Sequence, residues 1–137
     1  MKYLLDTNVC IAVINGRSPL VEKRLVEELS NGAQLFISAI VAFELWYGVA
    51  KSSRVSRNTQ QLESFFAGSA SLLAFDEEDG RAAAKIRAET ESIGRPVGAY
   101  DLLIAGQALR HEMTLVTANA KEFGGIKHLV WEDWTKC

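Results

Sequence analysis

Short apolar runs alternate with longer stretches of helical periodicity along the whole chain. Lys2–Leu5, Gln34–Ile37, Leu72–Phe75, Thr114–Val116 and His128–Trp131 read as strands. Each pair of successive strands is separated by at least one helical or turn segment. Thr7-Asn8 is a helix-start signal for Val9–Ile14, and Asn15-Gly16 stops it. Pro19 follows Ser18 at a first helical position, and Leu20, Val21, Leu25, Val26 and Leu29 mark one face. Ser38 is placed to cap a helix from Ala39 to about Lys51. Further helices are expected over Val55–Phe66, over Glu77–Ile93 behind an Asp76 cap, and over Tyr100–His111, with a short turn ending at Phe123. This order predicts an α/β fold in which a central, mostly parallel five-stranded sheet is flanked by helices. With 137 residues and no linker-like segment, residues 1–137 are expected to form a single domain.

In sheets of this kind ligands sit beyond the carboxyl ends of the strands. Polar residues falling there are therefore the first candidates for function. Asp6 directly follows the first strand, and Asn119 follows the fourth by a few residues. Asp101 opens the apolar helix DLLIAGQAL. Glu44 interrupts AIVAFELWYGVA, in which the other eleven residues are apolar, aromatic or glycine. Its helical neighbours Ile40, Val41, Tyr47 and Gly48 offer no cation. An ionised carboxylate is rarely buried without a partner. Each residue also has a simpler reading: Asp6 and Asn119 as caps, Asp101 as a favourable charge at a helix N-terminus, Glu44 as the solvent face of its helix.

Three carboxylates converging at one rim would repel one another unless a cation lay among them. Oxygen-only donors suit Mg²⁺ or Mn²⁺ rather than zinc or copper. A divalent cation in an acidic pocket is the arrangement for hydrolysing a phosphodiester.

The segments LLDTN (Leu4–Asn8), ISAIVAFELWYG (Ile37–Gly48), GRPVGAYDLLIAGQAL (Gly94–Leu109) and LVTANAKEF (Leu115–Phe123), with WEDW (Trp131–Trp134) at the end, carry a resemblance. The chain resembles PIN-domain ribonucleases, and among them the VapC toxins of type II toxin–antitoxin pairs. The resemblance implies a PIN-like sheet and an acidic site dependent on Mg²⁺ or Mn²⁺. It implies catalytic roles for Asp6, Glu44, Asp101 and Asn119, with Asp6, Asp101 and Glu44 around the metal. Thr7, Asn8, Ser38 and Thr117 match supporting polar positions. Asn119 stands where the family has Asp or Asn, so a second metal is not implied as firmly as the first. The resemblance also implies a structured RNA substrate, with the anticodon loop of initiator tRNA as the candidate, a VapB-type antitoxin and a homodimer.

The net charge of −2 does not advertise nucleic-acid binding, so any RNA contact must come from a local basic patch. Lys51, Arg54, Arg57, Arg87, Arg95 and Lys121 are the candidates, with Tyr100 and Tyr47 as aromatic platforms; packing is the expected role of Tyr47. Leu45-Trp46-Tyr47 and the region of Phe65-Phe66 could form an antitoxin groove, although core is the expectation for each residue singly. The apolar runs are too short for a signal core or a membrane span. Cys10 and Cys137 have no metal-type spacing, so a reduced, cytoplasmic protein is expected. A receiver-like phosphoacceptor fits poorly, since it would need paired acids after strand one. A non-catalytic interaction protein retaining the fold is the remaining alternative.

Overall fold

The computed structural model describes residues 1–136. Elements follow in the order β1 (Lys2–Leu5), α1 (Thr7–Ile14), α2 (Pro19–Ser30), β2 (Gln34–Ser38), α3 (Ala39–Ala50), α4 (Val55–Phe66), β3 (Ser71–Leu73), α5 (Glu77–Ser92), α6 (Ala99–Arg110), β4 (Thr114–Val116), α7 (Ala120–Phe123) and β5 (Trp131–Glu132). The five strands form one sheet in the order β3-β2-β1-β4-β5. Every neighbouring pair is parallel.

This order has one reversal. The chain steps outward from β1 through β2 to β3, then returns to lay β4 on the other side of β1. Because parallel crossovers are right-handed, the helices before and after the return cover opposite faces. Accordingly α1 packs with α2, α3 and α4, while α5 packs on α6. The sheet is thus covered on both sides, and β1 and β4 are almost continuously apolar and buried. Leu4, Leu115, Ile37, Val41, Val21 and Ile104 are among the most deeply buried side chains. The reversal leaves a crevice between the carboxyl ends of β1 and β4, where ligands gather in open parallel sheets.

Caps set the helix starts at this rim. The Asp6 carboxylate accepts from the Val9 N–H at 2.9 Å and begins α1. The Ser38 hydroxyl accepts from the Ile40 N–H at 3.0 Å and begins α3. At the opposite end of α6, Asp76 and Asp79 close a reciprocal capping box on α5. Fully buried Asp79 is also held by Arg110 Nη1 at 2.9 Å and Gln107 Nε2 at 3.3 Å. Gly106 allows α6 to lie directly on α5, since a Cβ there would fall 2.6 Å from the Ala83 nitrogen.

Several expectations shift. The third strand is Ser71–Leu73 rather than Leu72–Phe75, because the Ala74 carbonyl accepts from the Gln107 side chain at 2.9 Å where the chain leaves the sheet. The fifth is Trp131–Glu132 rather than His128–Trp131: His128 has φ of 66°, incompatible with an extended strand. Within α2, Leu20 and Val26 are exposed, while Val21 is buried and Leu25 and Leu29 partly so. The buried stripe is therefore narrower than the apolar pattern. Trp134 of the WEDW segment is buried against Tyr3, with ring centroids 4.9 Å apart, and Arg24 lies over its ring. No helix among the described residues is long and apolar enough to cross a membrane.

Candidate active site

Asp6 and Thr117 lie at the crevice left by the reversal, immediately after β1 and β4. The Asp6 N–H donates to the Val116 carbonyl at 3.1 Å, extending the ladder to the rim. Asp6 is buried, and the Thr117 side chain stands beside its carboxylate. The capping expectation for Asp6 is met, and the capping side chain lies at the crevice. Burial drives the Asp6 carboxyl above its ordinary range, Thr117 and the Val9 N–H hold it down in part, and Glu44 and Asp133 push it up.

Glu44 reaches the same rim from the second turn of α3. The Thr7 hydroxyl donates to Glu44 Oε1 at 2.8 Å, linking α1 to α3. Glu44 is only partly buried and is among the residues lining a groove. Its helix does have a solvent face, and that face is aromatic: Phe43, Trp46 and Tyr47 are exposed. Tyr47 is 58% exposed, against the expectation that it would pack, and Lys51 lies 4.8 Å from its ring centroid. Leu45 alone of Leu45-Trp46-Tyr47 belongs to the core.

Asp101 stands in the first turn of α6. Contact between α3 and α6 brings it toward Glu44, and Phe43 meets Tyr100 edge-on with centroids 5.7 Å apart. Burial pushes the Asp101 carboxyl up to about 6, aided by the charges of Glu122, Glu44 and Asp6 in that order. Three segments distant in sequence thus bring their carboxylates into electrostatic contact, and no cation among the described residues offsets them there.

Glu122 is the acid that the sequence reading missed. It lies in the short helix α7, and its Oε2 accepts from the Gly98 N–H at 3.3 Å. A Cβ at Gly98 would stand 3.6 Å from Asp101 Oδ2 and 3.8 Å from Glu122 Oε1, so both carboxylates flank this glycine. The available signal was position: Glu122 follows Asn119 by three residues, one helical turn into the same rim segment. Asn119 itself precedes α7, makes no side-chain cap bond, and donates its N–H to the Thr117 hydroxyl at 3.0 Å. Asn8 is exposed in α1, and the Ser38 hydroxyl serves its own helix cap.

Among the described residues no three acidic, His or Cys groups are gathered at metal-ligating distance. The donor set nevertheless fits a hard divalent cation. It is all oxygen, it is strongly acidic, and Asp6 and Asp101 bear raised proton affinities. Mg²⁺ takes only one or two direct carboxylates and keeps its waters, so a looser ring of acids is compatible with it.

The basic candidates separate. Arg87 is paired with Glu91 at 3.0 Å on exposed α5. Arg54 is exposed ahead of α4, and Arg57 lines an open hollow with Gln61 and Phe65. Arg95 and Lys121 share a separate cavity with Glu122. Tyr100 is exposed beside Asp101.

Residues 3–128 match the PIN domain family. The chain is 38% identical to Ribonuclease VapC2 of Rickettsia felis over 136 residues, covering 99% of this chain and 100% of that protein. It is 36% identical to the tRNA(fMet)-specific endonuclease VapC of Shigella flexneri, covering 98% and 99%. The crystal structure of VapBC2 from Rickettsia felis bound to a promoter DNA fragment contains a chain that superimposes with a TM-score of 0.90 at 36% identity, covering 98% of this chain and 99% of that one. VapBC from Salmonella typhimurium gives 0.89 at 36% identity, covering 98% of each. With its parallel sheet, its acids at the β1–β4 crevice and these likenesses over nearly its full length, the chain belongs to the PIN-domain family, among the VapC ribonucleases.

Proposed function

We propose that this protein is the toxin of a type II toxin–antitoxin pair and a metal-dependent endoribonuclease acting through Asp6, Glu44, Asp101 and Glu122. The observation that carries the reading is the convergence of these carboxylates on one rim, with Asp101 pushed up to about 6 by burial and its acidic neighbours. A fold gains nothing in stability from such repulsion. A cation and a phosphodiester give it a use.

Asp6 and Asp101 are the residues that would hold Mg²⁺ or Mn²⁺, with Glu44 completing the pocket. When bound, the cation neutralises phosphate charge and acidifies a water. The chain's own groups do the rest. Thr7 occupies Glu44 Oε1, which fixes the carboxylate and leaves Oε2 to take a proton from the attacking water. Thr117 favours the ionised Asp6 carboxylate, offsetting part of the rise in proton affinity that burial causes. Glu122 anchors the Gly98 backbone ahead of Asp101. Asn119 supplies an uncharged hydrogen-bonding group beside Thr117. In-line attack of water on phosphorus breaks the bond to the 3′ oxygen and leaves a 5′-phosphate and a 3′-hydroxyl.

The substrate is structured RNA. The anticodon loop of initiator tRNA is the first candidate, supported by the similarity to an endonuclease named for tRNA(fMet). A VapB-type antitoxin silences the enzyme, supported by the likeness to chains of VapBC complexes. A groove of about 280 Å³ between α1, α3 and α4, lined by Ile11, Ile14, Leu45, Val49 and Leu62 and also by Glu44, suits an apolar segment of such a partner. The exposed Phe43, Tyr47 and Tyr100 suit a homodimer contact. The chain acts as one domain, and a buried free Cys10 agrees with a reducing cytoplasm.

The test is incubation of total tRNA with purified protein in Mg²⁺, in Mn²⁺ and in EDTA, with Asp101→Ala as control. Discrete fragments requiring metal and Asp101, carrying 5′-phosphates, are expected. An intact, folded protein that leaves all tRNA and bulk RNA uncut would overturn the reading.

A further inference from the structure

Beside the acidic rim lies a cavity of about 160 Å³, lined by Thr90, Arg95, Val97, Lys121, Glu122 and Gly125. Its two cations come from different segments, and neither forms an ion pair among the described residues. The backbone at Arg95 is fixed although its side chain is exposed. Its N–H donates to the Thr90 carbonyl at 2.8 Å, Gly94 before it has φ of 71°, and Pro96 follows. The guanidinium lies over Gly125, where a Cβ would stand 3.0 Å from Arg95 Cζ. Glycine therefore makes the room in which Arg95 lies. Glu122 joins the cavity to the catalytic rim, because the glycine that its carboxylate contacts, Gly98, also flanks Asp101.

We propose that Arg95 and Lys121 form a second anion subsite that grips a backbone phosphate of the RNA strand next to the phosphate being cut. The proposal rests on the nuclease reading of the acidic rim and adds to it the means of holding a polyanion there. An acidic rim repels RNA, so the strand needs cations placed just outside the rim rather than within it. Arg95 and Lys121 outnumber the hollow's one acid, Glu122, whose Oε2 accepts from the Gly98 N–H, and two cations around one small hollow match a phosphate's size and charge. The planar guanidinium offers paired donors and the ammonium a point charge. These contacts position the strand and carry no base preference.

The experiment measures steady-state cleavage of a tRNA that the wild type cuts, chosen from total tRNA, across a salt series. The proteins are wild type, Arg95→Gln, Lys121→Gln, Arg95→Lys and Gly125→Asp. Each neutral substitution should raise KM about tenfold with kcat nearly unchanged. Each should also reduce the salt dependence of log KM by about 0.7 in slope. Arg95→Lys should recover much of the loss, and Gly125→Asp, which sets an anion against Arg95, should mimic Arg95→Gln. Both cations are exposed, so unchanged melting temperatures are expected and guard against misfolding. Unchanged KM and salt slope in variants of an active enzyme would overturn the subsite and leave the nuclease standing. A wild type that cuts no RNA would remove the nuclease reading and the subsite with it.

Discussion

Replacing Asp101 by Asn should make the metal-free protein more stable at neutral pH. The Asp101 carboxyl has an ordinary value of 3.8 and is pushed up to about 6 by burial, then by Glu122, Glu44 and Asp6. Between those values the native state keeps a proton that the unfolded chain has released. Stability from this group is therefore complete below about 4, falls as pH rises through that window, and is lost above about 6. A gap of about two pH units corresponds to about 3 kcal/mol. Asp101 is half-buried, and solvent screening reduces this to about 1–1.5 kcal/mol. The assay is urea unfolding in EDTA, followed by the fluorescence of the three tryptophans. At pH 7.5 the Asp101→Asn midpoint should lie about 0.5–1 M above wild type. At pH 4.5 the difference should shrink to about a third. A variant no more stable than wild type at pH 7.5, or a gap that ignores pH, would refute the charge argument.

Other expectations follow from single contacts. Thr7→Val removes the 2.8 Å bond to Glu44 Oε1, so it should cost about 1 kcal/mol in urea melts and lower kcat more than it raises KM. Gly106→Ala drives a Cβ to within 2.6 Å of the Ala83 backbone, and should destabilise by about 1–3 kcal/mol in thermal melts while the folded fraction keeps its specific activity. Arg110→Met strands the fully buried Asp79 with less compensation, and denaturation should reveal a loss of about 3 kcal/mol. Glu122→Gln should lower the Asp101 carboxyl, because it removes the strongest neighbouring charge, and NMR titration of the Asp101 carboxyl should show it.

The parts of the fold written in local chemistry were legible. β1 and its terminating Asp6, the Ser38 cap of α3, the Asp76 cap of α5 and the acid in an apolar helix all announce themselves within a few residues. What escaped was fixed by tertiary contact. β3 ends early because the Gln107 side chain, from α6, takes the Ala74 carbonyl. Glu122 reads as a surface acid in a four-residue helix, and only the return of the chain sets it against Gly98, twenty-four residues earlier. The solvent face of α3 was hidden for a different reason. Its exposed residues are Phe43, Trp46 and Tyr47, which hydrophobic patterning assigns to the core. Arg95 was distinguishable from Arg87 only by partners: Arg87 has Glu91 one turn away, and Arg95 faces a glycine.

The proposed function requires a divalent cation among the acids at the β1–β4 crevice. Crystals soaked in millimolar Mn²⁺ and measured for anomalous scattering test this most directly. A peak is expected at the crevice, with an oxygen of Asp6 or Asp101 at about 2.1 Å, lost in Asp101→Asn. An empty crevice beside ordered, ionised carboxylates, or manganese bound elsewhere on the chain, would contradict it.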